Sequence, residues 1–579
     1  MSGPDPSAGS GHPGTFFPWA DPFVYNAREH GLVGDGVTND QPALQALVDT
    51  LGAACADDDQ PRTIYCPSGR YSIRDAATAW RSGISLIGAG RSATRFLLAN
   101  PGDRTACTPL AWFTIERHGA SRKRHIADCT FACFEIDGSG VELEEYAPYS
   151  KGLGLQYVLR GTFRDLYIHD VPSTGFGCDF LQDTLVENVL TVHCGRLDPG
   201  ESMGGAGIGI GLGGWGTIER CTISACTAVD NGTNGIFVEL QDAHWAPTRG
   251  IRIVGCHTEG NRFGISDWGA DGLVVSGCTM LANRQAGYDV SALGPSGVAG
   301  RGGVVTGCVI EDNITDGVAI GNTPGPYTFA ANRISRNGRY GYWQHNLDSG
   351  RQAVAADVII DGNEFWGNGL DGITVDSPLV DPTVTSNRFR NNGRRCEHEY
   401  DGAGENVSYT PLSVVDTAAD WRPNGHKGKC VTVADQEALV VGNSRTELKL
   451  APRHPGSPTA WADGPPPSGT RYRLPGAPGV RAGIRLAADT ESATICGNRA
   501  WDSQPDKTQT HGLVITDSGD CHAGFVHDND LLGNAEGTSR FDTVPSEGCW
   551  YQNPGLDDSG RPGSPPAPEK GPRDESPDP

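Results

Sequence analysis

Three carboxylates are spaced for acid–base chemistry. Glu239, Asp267 and Asp289 stand 28 and 22 residues apart, close to the interval at which a motif repeats around them. If the chain winds with that period, the three side chains share one wall. Two carboxyls about 5 Å apart suit a retaining glycosidase, and two coils' separation, about 9–10 Å, lies near the upper limit for an inverting one. Like charges at such range repel and raise at least one pKa, which provides a proton donor near neutral pH. One acid would then protonate the glycosidic oxygen while the other attacks the sugar or activates water. The plain alternative is a solvated acidic stripe on a chain of formal charge -24.

Other residues fall around this wall. In GAGIGIGLGGW, Gly209 and Gly211 take outward positions just before the Glu239 coil, where bare backbone would floor a groove for a sugar ring. Trp268, Trp343, Tyr288 and Trp215 offer faces for pyranose stacking, although strand parity turns Tyr288 inward. Asp242 and His244 follow Glu239 in ELQDAHW, and His345 and Asp376 lie further up the same face. A histidine above carboxylates can move protons near neutral pH. Asp179, in GFGCDFLQD, is a fourth candidate groove carboxylate.

The element that positions these groups is a repeat. CTAVDNGTNGIFVEL, CHTEGNRFGISDW, CTMLANRQAGYDVS, CVIEDNITDGVAIG, NRISRNGRYGYWQH, NEFWGNGLDGITVD and NRFRNNG align. They begin at Cys226, Cys256, Cys278, Cys308, Asn332, Asn363 and Asn387. Five residues later comes Asn231, Asn261, Asn283, Asn313, Asn337, Asn368 and Asn392. A Gly and an apolar strand follow in the first six. Units of 22–31 residues with short strands and no helical period predict an all-β parallel β-helix, its coils stacked at about 4.8 Å. Recurrent asparagines then form an inward amide ladder.

Counted six from each Asn, one outward slot reads Phe237, Asp267, Asp289, Ala319, Trp343, Thr374. Counted eight, the next reads Glu239, Gly269, Ser291, Gly321, His345, Asp376. Counting from the Gly turns Asp267 inward; the Asn count is preferred because a lone carboxylate inside an apolar coil is costly.

The repeat also reads Asp312-Asn313-Ile314-Thr315-Asp316-Gly317, which resembles half a calcium loop beside Cys308. Only the Asn and Gly recur, so the stretch reads as a ladder rung. No metal site is assigned and no cofactor is expected, calcium being the one cation left open. The cysteines, 17 in all, read as small inward packing without disulfides.

The opening supplies a cap. TNDQPALQALVDTL places Thr38 and Gln41 at capping-box spacing, Pro42 in the first turn, and Leu44, Leu47, Val48 and Leu51 on one stripe. Coils are expected from about Ile84 to Asn392, and residues 21–393 form the capped β-helix. Residues 394–480 break the period and predict a small β-rich insertion, with strands in KCVTVADQEALVV and TELKLAP. Coils resume over 481–552. Residues 1–20 and 553–579 read as disordered tails, the latter Pro-, Gly- and charge-rich.

VYNAREHGLVGDGVTNDQPALQALVDTL, IYCPSGRYSI and ISLIGAGRSATRFLL resemble the opening of the pectate-lyase-like superfamily of right-handed β-helix proteins. The resemblance implies the fold, and a choice among polysaccharide lyases, glycoside hydrolases, uronate epimerases and phage tailspikes. Alginate epimerases carry Tyr-Gly-Phe-Asp-Pro-His. Here only Gly177 and Asp179 match, with Phe176 and Leu181 where the Tyr and His would stand. The polygalacturonase set and the Arg-x-Pro-x-x-Arg of pectate lyases are absent.

Lys+Arg 46 against Asp+Glu 70 argues against nucleic acid and anionic membranes as partners. The first twenty residues lack a basic start and an apolar core, so the expectation is a soluble cytoplasmic protein. The leading reading is a carbohydrate-active enzyme, a hydrolase first and a lyase second. A non-catalytic glycan-binding, tailspike-like homotrimer is the alternative, and an intracellular tailoring enzyme on a small molecule is a third.

Overall fold

The computed structural model describes residues 21–99, 109–143, 147, 149–195, 205–347, 353–453, 457–516, 519, 521–542 and 548–554. The expected tail 1–20, and 555–579 of the other, lie outside these residues. The chain winds as stacked coils. On one face Ile208–Leu212, Asn234–Leu240, Phe263–Trp268, Tyr288–Val290, Val318–Gly321, Tyr342–His345, Ile373–Val375 and Ala482–Leu486 pair in parallel, each with the next coil. The remaining sides form a second, longer parallel sheet. Coiling begins earlier than Ile84: Val24–Asn26 pairs with Arg62–Cys66, and that strand with Ile84–Gly88.

The asparagines stand in a column. The Nδ2 of Asn231 donates to the Oδ1 of Asn261 at 3.0 Å, and the pattern continues through Asn283, Asn313, Asn337, Asn368 and Asn392. Each Oδ1 also accepts the backbone N–H of the rung before it. A second column runs Asn332, Asn363, Asn387, Asn498, Asn529, Asn553. Asn553, placed by the sequence at the head of a tail, is therefore its last rung. The cysteine slot continues this second column downward: Cys256 and Cys278 offer their N–H groups to the sulfur one rung up, and Cys308 to Asn332. No disulfide joins the described cysteines.

The recurrent glycines have a physical cause. A Cβ at Gly235, Gly264, Gly287, Gly317 or Gly341 would lie 2.7–3.0 Å from the Nδ2 of the asparagine one rung up. The amide ladder and the glycine column therefore require each other.

Helix α1 (Gln41–Asp58) covers the open end with Leu44, Leu47, Val48 and Leu51 buried. The expected capping box does not form. Asp40 is the N-cap, with no side-chain cap bond, and its carboxylate instead accepts from the amides of Val33, Gly34 and Ser72. Thr38 bonds to Asp35. Burial against the coil, not a capping pair, sets where this helix starts.

Between two adjacent coils the chain leaves and returns. Asn387 bonds to Asn498, and Asn392 to Gln509, across 111 and 117 residues. The looped-out part is a small antiparallel sheet that includes Cys430–Val433, Gln436–Asn443 and Glu447–Leu450, around its own core of Val414, Val431, Val440, Trp461 and Tyr472. It is pinned to the coil edge by the Nζ of Lys427, which donates to the carbonyls of Asp312 (2.5 Å) and Arg336 (3.1 Å). Among the described residues, no helix is long and apolar enough to cross a membrane.

Candidate active site

The register on the site face is set by the glycines. Gly264 and Ile265 donate to Ala286 and Gly287, as Gly287 and Tyr288 do to Asp316 and Gly317. From Asn231, Asn283, Asn313 and Asn337 the Gly comes four residues on; from Asn261 it comes three on. The turn absorbs the missing residue, and the strand after it slips by one relative to the Asn. A one-residue slip exchanges the faces of a strand. The outward column is therefore Gly209, Phe237, Ser266, Asp289, Ala319, Trp343, Thr374, with Gly211, Glu239 and Trp268 in the next.

Asp267 consequently points inward, between Val238 and Val290, which corrects the expected three-acid wall. It is fully buried but satisfied. Its Oδ1 accepts from Gly269 N (3.2 Å) and Ala270 N (2.9 Å), and its Oδ2 from the hydroxyl of Tyr327 (3.1 Å). Burial pushes its pKa up to about 7. The folded state thus holds the proton that the unfolded chain releases near pH 4, so this group's contribution falls as pH rises from about 4 to 7, by on the order of 4 kcal/mol. Asp267→Asn is expected to shrink the loss of Tm between acid and mildly alkaline pH. An unchanged pH dependence of Tm would contradict this placement.

Asp289 keeps its outward position, at the floor of a cavity of about 570 Å³. The indole N–H of Trp268 donates to its Oδ2 at 2.8 Å and the hydroxyl of Ser291 at 3.0 Å. Burial nevertheless raises its pKa to about 6. Trp343 and His345 line the same cavity. The imidazole of His345 lies on Gly321, whose Cβ would come within 2.3 Å of it, and its centroid is 4.0 Å from that of the Trp343 ring. Burial holds the His345 pKa down at about 4. Its Nδ1 has no hydrogen-bond partner among the described residues. Asp376 accepts from the Trp343 indole at 2.7 Å.

The other expected residues sit elsewhere. Glu239 accepts from Gln241 at 2.8 Å and packs under Gly294 of the loop after Val290. Burial, with the Asp179 charge behind it, raises its pKa to about 7. Asp179 accepts from the backbone N–H of Gly211 (2.9 Å) and from Gln156 (3.0 Å), with Lys151 at 3.8 Å. Glu239 and Asp179 thus form a second polar group along the face, outside the cavity lining.

Gly209 and Gly211 are not a bare floor, because the Phe237 ring and the Asp179 carboxylate occupy the space each leaves. Trp268, 2 % exposed, holds Asp289 and offers no open stacking face. Tyr288 points inward, and Trp215 donates to the Phe180 carbonyl. Asp242 and His244 make a local turn, Asp242 accepting from His244 N, and neither lines the cavity.

The sequence reading missed the cavity's upper wall: Arg262, Gln285, Thr315 and Arg339, stacked by backbone bonds from each to the next. Each stands two residues before a recurrent Gly, so the Gly count would have found them. Arg339 lies 3.9 Å over Trp343 and is held by Asp316 at 2.8 and 2.5 Å. Arg395 and Gly428, from the insertion, complete the wall.

The calcium-like stretch breaks up in three dimensions. Asn313 is a rung, Asp312 pairs with Arg336 and Asp316 with Arg339. Glu135, Asp137 and His169 do bring ligand-type atoms within 4.8 Å of one another. Arg95 already holds Glu135 at 2.6 Å, and His169 is clamped between Glu135 and Asp170, whose charges raise its pKa despite burial. Those side chains are thus already engaged with Arg95 and with one another.

Two family models match. "Right handed beta helix region" covers residues 200–355, and "Rhamnogalacturonase A/epimerase, pectate lyase-like" covers 24–105. Among curated proteins, Mannuronan C5-epimerase AlgE3 of Azotobacter vinelandii is 28 % identical over 192 residues, 28 % of this chain and 10 % of that protein. Alginate lyase 7 of the same organism is 26 % identical over 199 residues, 30 % of this chain and 22 % of that protein. The tail spike protein of Salmonella phage epsilon15 is 36 % identical over 206 residues, 32 % and 18 %. This chain thus matches less than a quarter of the length of each.

A solved family 28 exopolygalacturonase of Yersinia enterocolitica superposes with a TM-score of 0.46 at 13 % identity, covering 64 % of this chain and 75 % of that one. The stacked parallel strands are those of a right-handed parallel β-helix, and the two models show which segments carry the likeness: the opening is similar to pectate-lyase-like proteins and the central coils to right-handed β-helix regions.

Proposed function

We propose that this chain is a carbohydrate-active enzyme that cleaves a glycan bound over Asp289. The supporting observation is one cavity that holds a carboxyl with its pKa raised to about 6 and an imidazole with its pKa lowered to about 4. Between those values Asp289 carries a proton and His345 carries none, so donor and acceptor coexist in their working forms. In hydrolysis the Asp289 proton passes to the glycosidic oxygen as that bond breaks. His345 takes a proton from the attacking water as the new C–O bond forms. Trp343 borders the sugar site.

A lyase is the second reading, favoured by the identity with Alginate lyase 7. His345 would then take its proton from a sugar carbon, and a double bond would replace the added water.

The test is turnover of a polysaccharide panel across the acid range, with product masses. A bell-shaped profile with limbs near pH 4 and 6 is expected. Products heavier by one water mean hydrolysis, and ultraviolet-absorbing unsaturated ends mean elimination. Saturable binding with no product from any polymer would replace this reading with a glycan-binding module, to which the identity with the tail spike protein gives weight.

A further inference from the structure

The insertion contributes a cation to the cavity, and that cation has no counter-charge of its own. Arg395 lines the cavity wall beside Arg339. Its Nε donates to the Lys427 carbonyl at 3.2 Å, and among the described residues no carboxylate pairs with it. The nearby acid, Asp316, is committed to Arg339 through both oxygens. Gly428, at φ +75°, leaves the space the guanidinium fills, since a Cβ there would lie 2.6 Å from its Nη2. Burial and the Arg339 charge pull the Arg395 pKa down to about 10, the direction expected of a cation short of compensation. In all, Arg262, Arg339 and Arg395 face Asp289 and Asp316 across this cavity. With Asp316 held by Arg339, Arg395 is the guanidinium on this wall that no carboxylate among the described residues pairs with.

A half-buried cation without a counter-charge favours an anion beside it, and a planar guanidinium matches a carboxylate or sulfate through two parallel N–H bonds. The positions of these residues also argue against a purely structural role. Lys427 and Lys429, which are buried, are each satisfied by two carbonyls and fasten the insertion, whereas Arg395 is half-buried and lines the cavity.

We propose that the insertion completes the substrate site, and that Arg395 reads an anionic substituent, a carboxylate or a sulfate ester, on the sugar bound over Asp289. Resting on the function proposed above, this makes residues 394–480 the specificity element of the enzyme and an acidic glycan its substrate class. Arg395 touches the substituent and not the bond that breaks, so it is a binding residue.

The test uses the full chain and matched polymers: a polyuronate with its carboxyl-reduced counterpart, and a sulfated polysaccharide with its desulfated counterpart. The parent protein is expected to prefer one acidic member, and which one identifies the substituent. Arg395→Gln is expected to raise KM on that polymer roughly 10- to 100-fold with a much smaller change in kcat, and to move KM on the neutral counterpart far less. Arg395→Lys, which keeps charge without the fork, should fall between. Calorimetric binding of the corresponding acidic oligosaccharide reads the subsite independently of turnover.

Equal KM values for acidic and neutral polymers in the parent, or an acid preference that survives in a folded Arg395→Gln protein, overturns the inference. If Asp289→Asn keeps full turnover, the catalytic reading fails. Loss of oligosaccharide binding in Arg395→Gln would then still uphold the anion subsite, and unchanged binding would overturn it.

Discussion

Asp289→Asn is expected to lower kcat/KM on the cleaved glycan by about 10²- to 10⁴-fold, the usual worth of a positioned proton donor. Asparagine can still accept from the Trp268 indole and the Ser291 hydroxyl, which hold the native side chain at 2.8 and 3.0 Å. The cavity shape and the Trp343–His345 stack are therefore retained, and what disappears is the transferable proton. The alkaline limb of the pH profile, expected near pH 6 from the raised Asp289 pKa, should vanish with it. The acid limb near pH 4 belongs to His345 and should persist in any residual activity.

The same substitution should stabilise the fold at neutral pH. The folded protein holds the Asp289 proton to about pH 6, whereas the unfolded chain releases it near 4. The ionised group therefore costs stability above pH 6, on the order of 3 kcal/mol at most. A rise of about 1–3 kcal/mol in unfolding free energy at pH 7, absent below pH 4, is the expected accompaniment. An active site that stabilises when disarmed is a common trade-off. Full turnover by Asp289→Asn would move the chemistry elsewhere, with Glu239 and Asp179 the next group to test.

Asn313→Ala is expected to be the most damaging single change on the coil interior. The native Oδ1 accepts from both the N and the Nδ2 of Asn283, at 3.0 and 2.9 Å. Its own Nδ2 donates to the Met280 carbonyl at 3.2 Å and to Asn337 Oδ1 at 2.9 Å. All of these groups are buried, so truncation leaves several unsatisfied at once and costs about 3–5 kcal/mol. Each coil rests only on its neighbours, and the break should lower cooperativity as well as the urea midpoint. Calcium should leave the midpoints of parent and variant where they were. A loss below about 1 kcal/mol, or a calcium-dependent midpoint, would mean that Asn313 is not a ladder rung.

The error at Asp267 shows where one-dimensional reading stops. The sequence displays two rulers, the Asn and the Gly, which disagree by one residue in a single coil. The Asn was the better marker of the stack and the Gly the better marker of the strand. Asn bonds lie in the turn, where one residue more or fewer is tolerated. The Gly opens the inter-strand ladder, where a slip exchanges inside for outside. An argument from cost, that a carboxylate avoids an apolar interior, chose the wrong ruler. It could not foresee that Gly269, Ala270 and Tyr327 would supply three donors at that depth.

The amino-acid sequence alone determined the coil, the two inward columns, the capping helix and the place where the insertion leaves. These follow from a period, and a period is a one-dimensional property: each rung meets the next at a fixed separation along the chain. That Asp289, Trp343, His345 and Asp376 fall along one face was legible for the same reason. The tertiary structure decided which of the acids share a cavity, that Trp268 supports Asp289, and that Arg395 reaches the cavity although it stands 106 residues beyond Asp289. Burial set the shifted pKa values of Asp289 and His345, and burial depends on what the loop after Val290 and the insertion cover. No spacing encodes that, because it arises from parts of the chain outside the repeat packing onto it.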